Sequence, residues 1–295
     1  MRRLEIRNKC KTALLLPMML CMLHACNNSS KQQVAEREPE IEKGTLYIIG
    51  GGDRDDSLMQ DMIYVSGWKK GDIMVAITLA STYDSAYHWI NDQLQEMTGQ
   101  ACVRFDSSAV DDVARLDSLR QAKIIFIGGG DQSRMMQLIE GSQVKKILQE
   151  AYRNGATIGG TSAGAAVMSQ WMITGNQLLD TAYQSTFPVL RSDNVELKEG
   201  LGLLDSVIID MHFVARSRYN RLFSAIIEKP SYQCIGIDEA TALIVQGNTA
   251  VVSGESQVIL IETPDKLAKG KNHLVGAQGL DVSVFIEGDT FNIKK

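Results

Sequence analysis

Residues Ile158-Gly159-Gly160-Thr161-Ser162-Ala163-Gly164-Ala165-Ala166-Val167-Met168 pass from an apolar strand end, through two glycines and Thr-Ser, into a row of small helix formers. Gly160 to Gly164 satisfies G-x-S-x-G. In that pattern a serine rides a strained turn between strand and helix and projects past the sheet edge. Small neighbours let the helix close on the sheet, and its N-terminus presents free N–H groups. Ala163 N–H can then face a developing oxyanion. The same letters also describe a plain glycine turn into a tightly packed helix, so the surrounding chain has to decide.

Working outward, short apolar runs alternate with helical stretches. TLYIIG (45–50), DIMVAITLA (72–80), ACVRF (101–105), KIIFIG (123–128), ATIGG (156–160) and SVIID (206–210) read as strands. SAYHWINDQLQEMTG, SRMMQLIEGSQVKKILQEAYRNG and AGAAVMSQWM read as helices between them. Near-continuous apolar strands are expected where helices cover both faces, which predicts an α/β fold: three layers around a mostly parallel sheet. After about residue 232 the runs become strands joined by short turns, an antiparallel C-terminal extension of the same domain.

One unit before the serine, Ile127-Gly128-Gly129-Gly130-Asp131-Gln132 ends a strand. In a parallel sheet that loop opens on the same carboxyl-end crevice. Its glycine N–H groups, at Gly129 and Gly130, can donate to an oxyanion beside Ala163. Neither GGGDR (50–54) nor GGGDQ (128–132) meets the G-x-G-x-x-G spacing, so no dinucleotide site is expected; no cofactor or metal is expected either.

A serine nucleophile needs a base. His273 lies in a charged late loop and His88 in an amphipathic stretch, expected to pack. His212 directly follows the apolar strand Ile208-Ile209-Asp210, which places it at the same crevice. The acid that orients the imidazole is open on the residues alone: Asp180, Asp210, Asp238 and Glu239 are candidates. Arg216, Arg218 and Arg221 follow the histidine. They suit either a substrate carboxylate or salt bridges to Asp210 and Glu228.

IGGGDQ, GGTSAGAAVMS, IIDMHFVARSRYNRL and GIDEATAL, in this order, resemble the cyanophycinase-like serine peptidases, a family that includes peptidase E. The likeness runs from about Thr45 to Ile261. It implies a three-layer fold akin to class I glutamine amidotransferases, with Ser162 as nucleophile and His212 as base. It also implies an acid a short way after the serine, an offset that Asp180 meets, and substrate contacts from Gln132 and the arginines; Asp210, two residues before His212, could equally bind substrate. The implied reaction is hydrolysis beside aspartyl residues; in cyanophycinase it releases β-Asp-Arg dipeptides from arginine-bearing polyaspartate. Two features depart from the family pattern. Met211 stands where cyanophycinases carry glutamine, and the segment from Asp180 to His212 is long.

The chain has 295 residues, 44% of them hydrophobic, enough for one large core at 45–295. Residues 1–25, a basic start and then TALLLPMMLCML, are expected to be a signal peptide, too short to span a membrane stably. Leu23-His24-Ala25-Cys26 resembles a bacterial lipobox, which would lipidate Cys26; a plain secretory signal is the alternative. Residues 26–44 are polar and read as a flexible tether. The expected location is therefore outside the cytoplasm, periplasmic or cell-surface, on a lipid anchor. Without residues 1–25, 25 basic side chains face 34 acidic ones, a formal charge of −9 that argues against nucleic acid as a partner. A peptide or polyaspartate substrate is expected, and homodimerisation is open. Cys102 and Cys234 would remain as two buried free thiols or one disulfide.

Overall fold

The computed structural model describes residues 44–182 and 184–294. The expected signal peptide, Cys26 and the tether up to residue 43 lie outside the described residues.

Strands β1 (Thr45–Ile49), β2 (Met74–Ile77), β3 (Val103–Phe105), β4 (Ile124–Ile127) and β5 (Thr157–Thr161) form the parallel part of the main sheet, in the order β1-β5-β4-β2-β3. Helices α1 (Asp56–Ser66) and α2 (Ala86–Thr98) cover one face; α3 (Val113–Gln121), α4 (Gln132–Leu138), α5 (Val144–Arg153) and α6 (Ala163–Ala166) cover the other. Strands β1, β2, β4 and β5 are buried along their whole length because both faces are covered, which is why these runs are continuous rather than alternating; in the edge strand β3 only Phe105 is fully buried. Tyr47, Ile49, Met74 and Phe126 pack under α1 and α2, whereas Leu46, Ile48, Val75 and Ile125 pack under α3 and α5. The fold is thus mixed α/β with a parallel sheet between helical layers.

Strands β6 (Trp171–Gln177) and β7 (Val195–Glu199) pair as an antiparallel ribbon with a bulge between Ile173 and Gln177. Trp171 to Gln177 therefore corrects the helical expectation for AGAAVMSQWM: only Ala163–Ala166 is α-helical. The long reading from Ser133 to Gly155 also divides, into α4 and α5 with Gly141 at the break.

The strand expected to be sixth in the main sheet, β8 (Val207–Met211), belongs to a second sheet. It pairs in parallel with β9 (Gln233–Ile237), and α7 (Tyr219–Glu228) crosses between them. Strands β10 (Thr241–Gln246) and β11 (Thr249–Gly254) extend the main sheet antiparallel from β1, while β12 (Val258–Glu262) pairs antiparallel with β9 in the second sheet. The hairpin β13 (Lys266–Lys269)–β14 (Val275–Gln278) follows. Strand β15 (Asp281–Phe285) closes the second sheet and β16 (Thr290–Asn292) the main one. Ile209, Ile235 and Val258 face the core of the main sheet, and Ile208, Cys234 and Ile259 face α7, so one strand layer joins two cores. Cys102 and Cys234 are free and buried in different cores; burial pushes the Cys102 thiol up to about 12.

Candidate active site

Five strand ends meet at the site: β1, β4, β5, β8 and β9. Ser162 follows β5 directly, with φ 53° and ψ −112°, a left-handed-side backbone that non-glycine residues rarely adopt. Its N–H donates to Ile49 O at 3.1 Å, which ties the turn to the end of β1. Helix α6 lies close against β4: a Cβ on Gly164 would stand 2.2 Å from Ile127 O. That approach is what the small residues after Ser162 provide.

His212 follows β8, again at positive φ, and its N–H donates to Gly50 O at 2.7 Å. This one bond joins the ends of the two sheets. The imidazole fills the place where Gly51 has no side chain; a Cβ there would lie 2.3 Å from the ring. Ser162 Oγ and His212 Nε2 are 2.8 Å apart. On the other side of the ring, Glu239 Oε1 is 2.5 Å from His212 Nδ1. With Nδ1–H donating to the Glu239 carboxylate, Nε2 is left with a lone pair for the serine hydroxyl. The loop after the histidine is held by Asp238, whose Oδ1 accepts from Val214 N and Ala215 N at 3.0 and 2.9 Å.

Burial lowers the His212 pKa below 6.5, and the nearby charges of Arg216 and Arg218 lower it further, while the hydrogen bond and charge of Glu239 act in the opposite direction. The imidazole is therefore neutral at neutral pH, the form a general base requires.

Asp180 is not beside the histidine. Its carboxylate accepts from Arg191 Nη1 at 3.1 Å, on the segment between β6 and β7, and Glu239 occupies the position assigned to it. The offset from serine misled because Asp180 lies in the connection between β6 and β7, on the ribbon inserted between Ser162 and β8. Glu239 stood among the open candidates, and the logic that selects His212, a polar residue just past an apolar strand, selects it equally.

Asp210 is also corrected. It is fully buried, and its carboxylate accepts from Arg221 Nε at 2.8 Å and from Arg221 Nη2. It braces the wall of the site rather than facing a ligand. Arg218 Nη1 donates to Met211 O at 2.7 Å and to Met211 Sδ at 3.1 Å. Arg218 and Arg221 still line the cavity beside Ser162, each mostly buried; Arg216 lies at the rim, more exposed. Both donor contacts of Gln132 Nε2 go to the backbone, Ile173 O at 2.8 Å and Thr174 O at 3.0 Å, so that side chain clamps β6 to α4.

The cavity measures about 500 Å³. Ser162, His212, Gly130, Arg216 and Lys198 line it, with Thr174 and Asn176 on the far wall. Glu196 fixes that wall: its Oε2 accepts from Thr174 Oγ1 at 2.6 Å and Asn176 Nδ2 at 2.9 Å. Sequence reading missed this wall because it placed Trp171 on a helix. Gly129 packs on the serine itself; a Cβ there would lie 3.5 Å from Ser162 Cβ. Ala163 opens α6, where no preceding turn supplies an acceptor for its N–H.

The two other histidines among the described residues are elsewhere. His88 is exposed on α2, 3.7 Å from Asp92, which corrects the expectation that it packs; His273 is exposed 3.9 Å from Asp193. Among the described residues no group of three or more His, Cys, Asp or Glu side chains is arranged to hold a metal ion, and no helix is long and apolar enough to cross a membrane.

The profile of peptidase family S51 matches residues 77–253. This chain belongs to peptidase family S51. The matched span carries Ser162, His212 and Glu239 together. A cyanophycinase of Trichormus variabilis is 34% identical over 184 residues, covering 60% of this chain and 59% of that protein. Peptidase E of Pasteurella multocida is 27% identical over 158 residues, 51% of this chain and 62% of that one. The chain thus aligns with about three fifths of the length of these S51 relatives. A crystal structure of a peptidase from an acI-B1 Actinobacterium superposes with a TM-score of 0.60 over 86% of this chain and 98% of that one; at 18% identity it speaks for the fold.

Proposed function

We propose that this chain is a serine peptidase that hydrolyses bonds beside aspartyl residues, with arginine-bearing polyaspartate as its substrate class and β-Asp-Arg as its product. The observation that carries this is the line Ser162–His212–Glu239 opening into a cavity lined by Lys198, Arg216, Arg218 and Arg221. Guanidinium and ammonium groups beside a nucleophile select a carboxylate on the substrate.

In the proposed reaction His212 Nε2 takes the Ser162 proton as Oγ bonds to the scissile carbonyl carbon. Ala163 N–H and the N–H groups of Gly129 and Gly130 stabilise the oxyanion. The imidazolium, held by Glu239, gives its proton to the departing amine. Water, deprotonated by the same imidazole, then cleaves the acyl-serine ester.

The test compares hydrolysis of arginine-bearing polyaspartate with that of β-aspartyl and α-aspartyl dipeptides, in the intact chain and in Ser162→Ala. Turnover of the polymer that vanishes in the variant supports the reading; turnover retained by the variant overturns it. A second reading, a dipeptidase for α- or isoaspartyl bonds, is favoured by one feature. Met211 puts a thioether between two guanidinium groups where a cyanophycinase carries an amide. Preference for the simple dipeptides would select it. The proposal places the enzyme outside the cytoplasm, anchored through Cys26. Palmitate should label the chain in a bacterial host and fail to label Cys26→Ala; an unlabelled wild-type chain would refute the anchor.

A further inference from the structure

The cationic cavity occupies one flank of Ser162. The other flank is different in chemistry and has no role in the reaction above. Two hollows of about 620 and 370 Å³ lie there, and both are lined by Ser81, Trp89 and Gly129. Gly129 touches the nucleophile: a methyl on it would be 4.0 Å from Ser162 Oγ. The smaller hollow shares Gly130 and Asp131 with the cationic cavity, so these two residues stand between the flanks.

Trp89 and Tyr83 stand at this flank with 57% and 69% of their surface exposed, ring centroids 5.9 Å apart and planes tilted by 51°. Large aromatic rings left in solvent beside a nucleophile are a surface for a ligand. The platform is also held from below. Arg54 Nη2 donates to Trp89 O at 2.9 Å while its guanidinium covers the Phe126 ring at 5.2 Å. The charge of Arg54 is thereby committed to the floor. Arg134 is the second cation on this side, in the smaller hollow next to Asp131. Asp53 and Asp55 line the larger hollow; Asp55 Oδ1 caps α1 through Leu58 N at 2.8 Å, and Asp53 is exposed.

The geometry points to a second subsite on this flank, in which Trp89 and Tyr83 stack a planar cationic side chain of the guanidinium class with Asp53 facing its edge. Indole is the best aromatic face for such a cation, and a stacked guanidinium keeps its N–H edge free for a carboxylate. The subsite rests on the reading of Ser162 as the reacting centre. It makes recognition two-sided: carboxylate in the cationic cavity, guanidinium on the aromatic flank.

The test uses the full chain with Ser162→Ala, so that nothing is cleaved, and three probes: an aspartate trimer bearing arginine, the same trimer bearing citrulline, and the bare trimer. Citrulline keeps the planar shape and removes the charge. Isothermal titration calorimetry reads binding and stays usable when Trp89 is replaced. The arginine trimer is expected to bind about fivefold or more tightly than the citrulline trimer. Trp89→Leu should bring that ratio to about one, and Tyr64→Ala, a distant exposed aromatic on α1, should leave it intact. Equal affinity for arginine and citrulline, an unchanged ratio in Trp89→Leu, or no binding of any trimer overturns the subsite. Labelling of Ser162 by a fluorophosphonate in the unmodified chain separates the two readings. Labelling without the arginine preference leaves the nucleophile standing and removes the subsite. The preference without labelling keeps a guanidinium-binding surface at Trp89 but takes away its tie to a reacting centre.

Discussion

At Ser162 and at His212 the backbone takes positive φ, and each strained residue is fixed by a hydrogen bond to β1 or the glycine just after it, Ile49 O and Gly50 O. Strain of this kind persists only where the surroundings over-determine it. Here it aims two side chains at one another across two sheets. Glu239 completes the set, and its replacement tests the set most directly. Glu239→Gln keeps a hydrogen-bond acceptor near Nδ1 but removes the negative charge that supports the imidazolium. Roughly 10²- to 10⁴-fold of kcat should be lost, with KM little changed. The pH profile gives an independent readout. A base works when neutral, so kcat/KM should rise as pH rises through the His212 pKa, with its inflection below 6.5. Glu239 raises that pKa, so Glu239→Gln should move the inflection lower. Arg216 lowers it, so Arg216→Gln should move it up. An inflection that stays put in both variants would remove His212 from the base role. Asp180→Asn should leave kcat and pH profile unchanged, since its partner is Arg191.

Among the elements, α6 and β4 approach each other closely at the site. Gly164→Ala would place a methyl 2.2 Å from Ile127 O, backbone that cannot rotate away. A cost of about 1–3 kcal/mol is expected, read as a fall of several degrees in Tm with a further loss of activity as Ser162 shifts. An unchanged Tm would mean that α6 has room to move. The same contact explains why this element was legible in sequence. Gly160 and Gly164 around Ser162 have a local steric cause, and a local cause leaves a local pattern. The parallel strands were legible for a comparable reason, since burial on both faces makes each run apolar throughout. The β6–β7 ribbon was not legible. Its first strand, WMITGNQ, follows the helix formers without a break, and its pairing with Val195–Glu199 lies across a long intervening loop. The acid at Glu239 was hidden by the same ribbon, because chain offset stops measuring spatial distance once an element is inserted. His212 escaped this problem: it needed only a strand end at the crevice, and β8 supplies one from either sheet.

For the whole molecule, charge is distributed against its total. The chain is net negative, −5 over its full length, yet the cavity at Ser162 is lined by Lys198, Arg216, Arg218 and Arg221. Two of these are anchored by the buried Asp210, which accepts from Arg221 and lies 3.7 Å from Arg218. Removing the arginine would leave that carboxylate buried without its main partner. Arg221→Met should therefore cost about 3–5 kcal/mol, most of it structural. The exposed cations behave differently, because solvent screens them. Arg216 and Lys198 sit at the mouth, where a Debye length of about 10 Å at 0.1 M salt spans the distance to an incoming polyanion, and about 3 Å at 1 M does not. Raising salt between these limits should increase KM for a polyaspartate substrate several-fold and leave kcat nearly constant, since His212 and Glu239 interact at contact distance. Arg216→Gln and Lys198→Gln together should flatten that salt dependence. A KM insensitive to salt in the unmodified chain would mean that the cavity selects its substrate by shape, and that the cations at its mouth serve the fold alone.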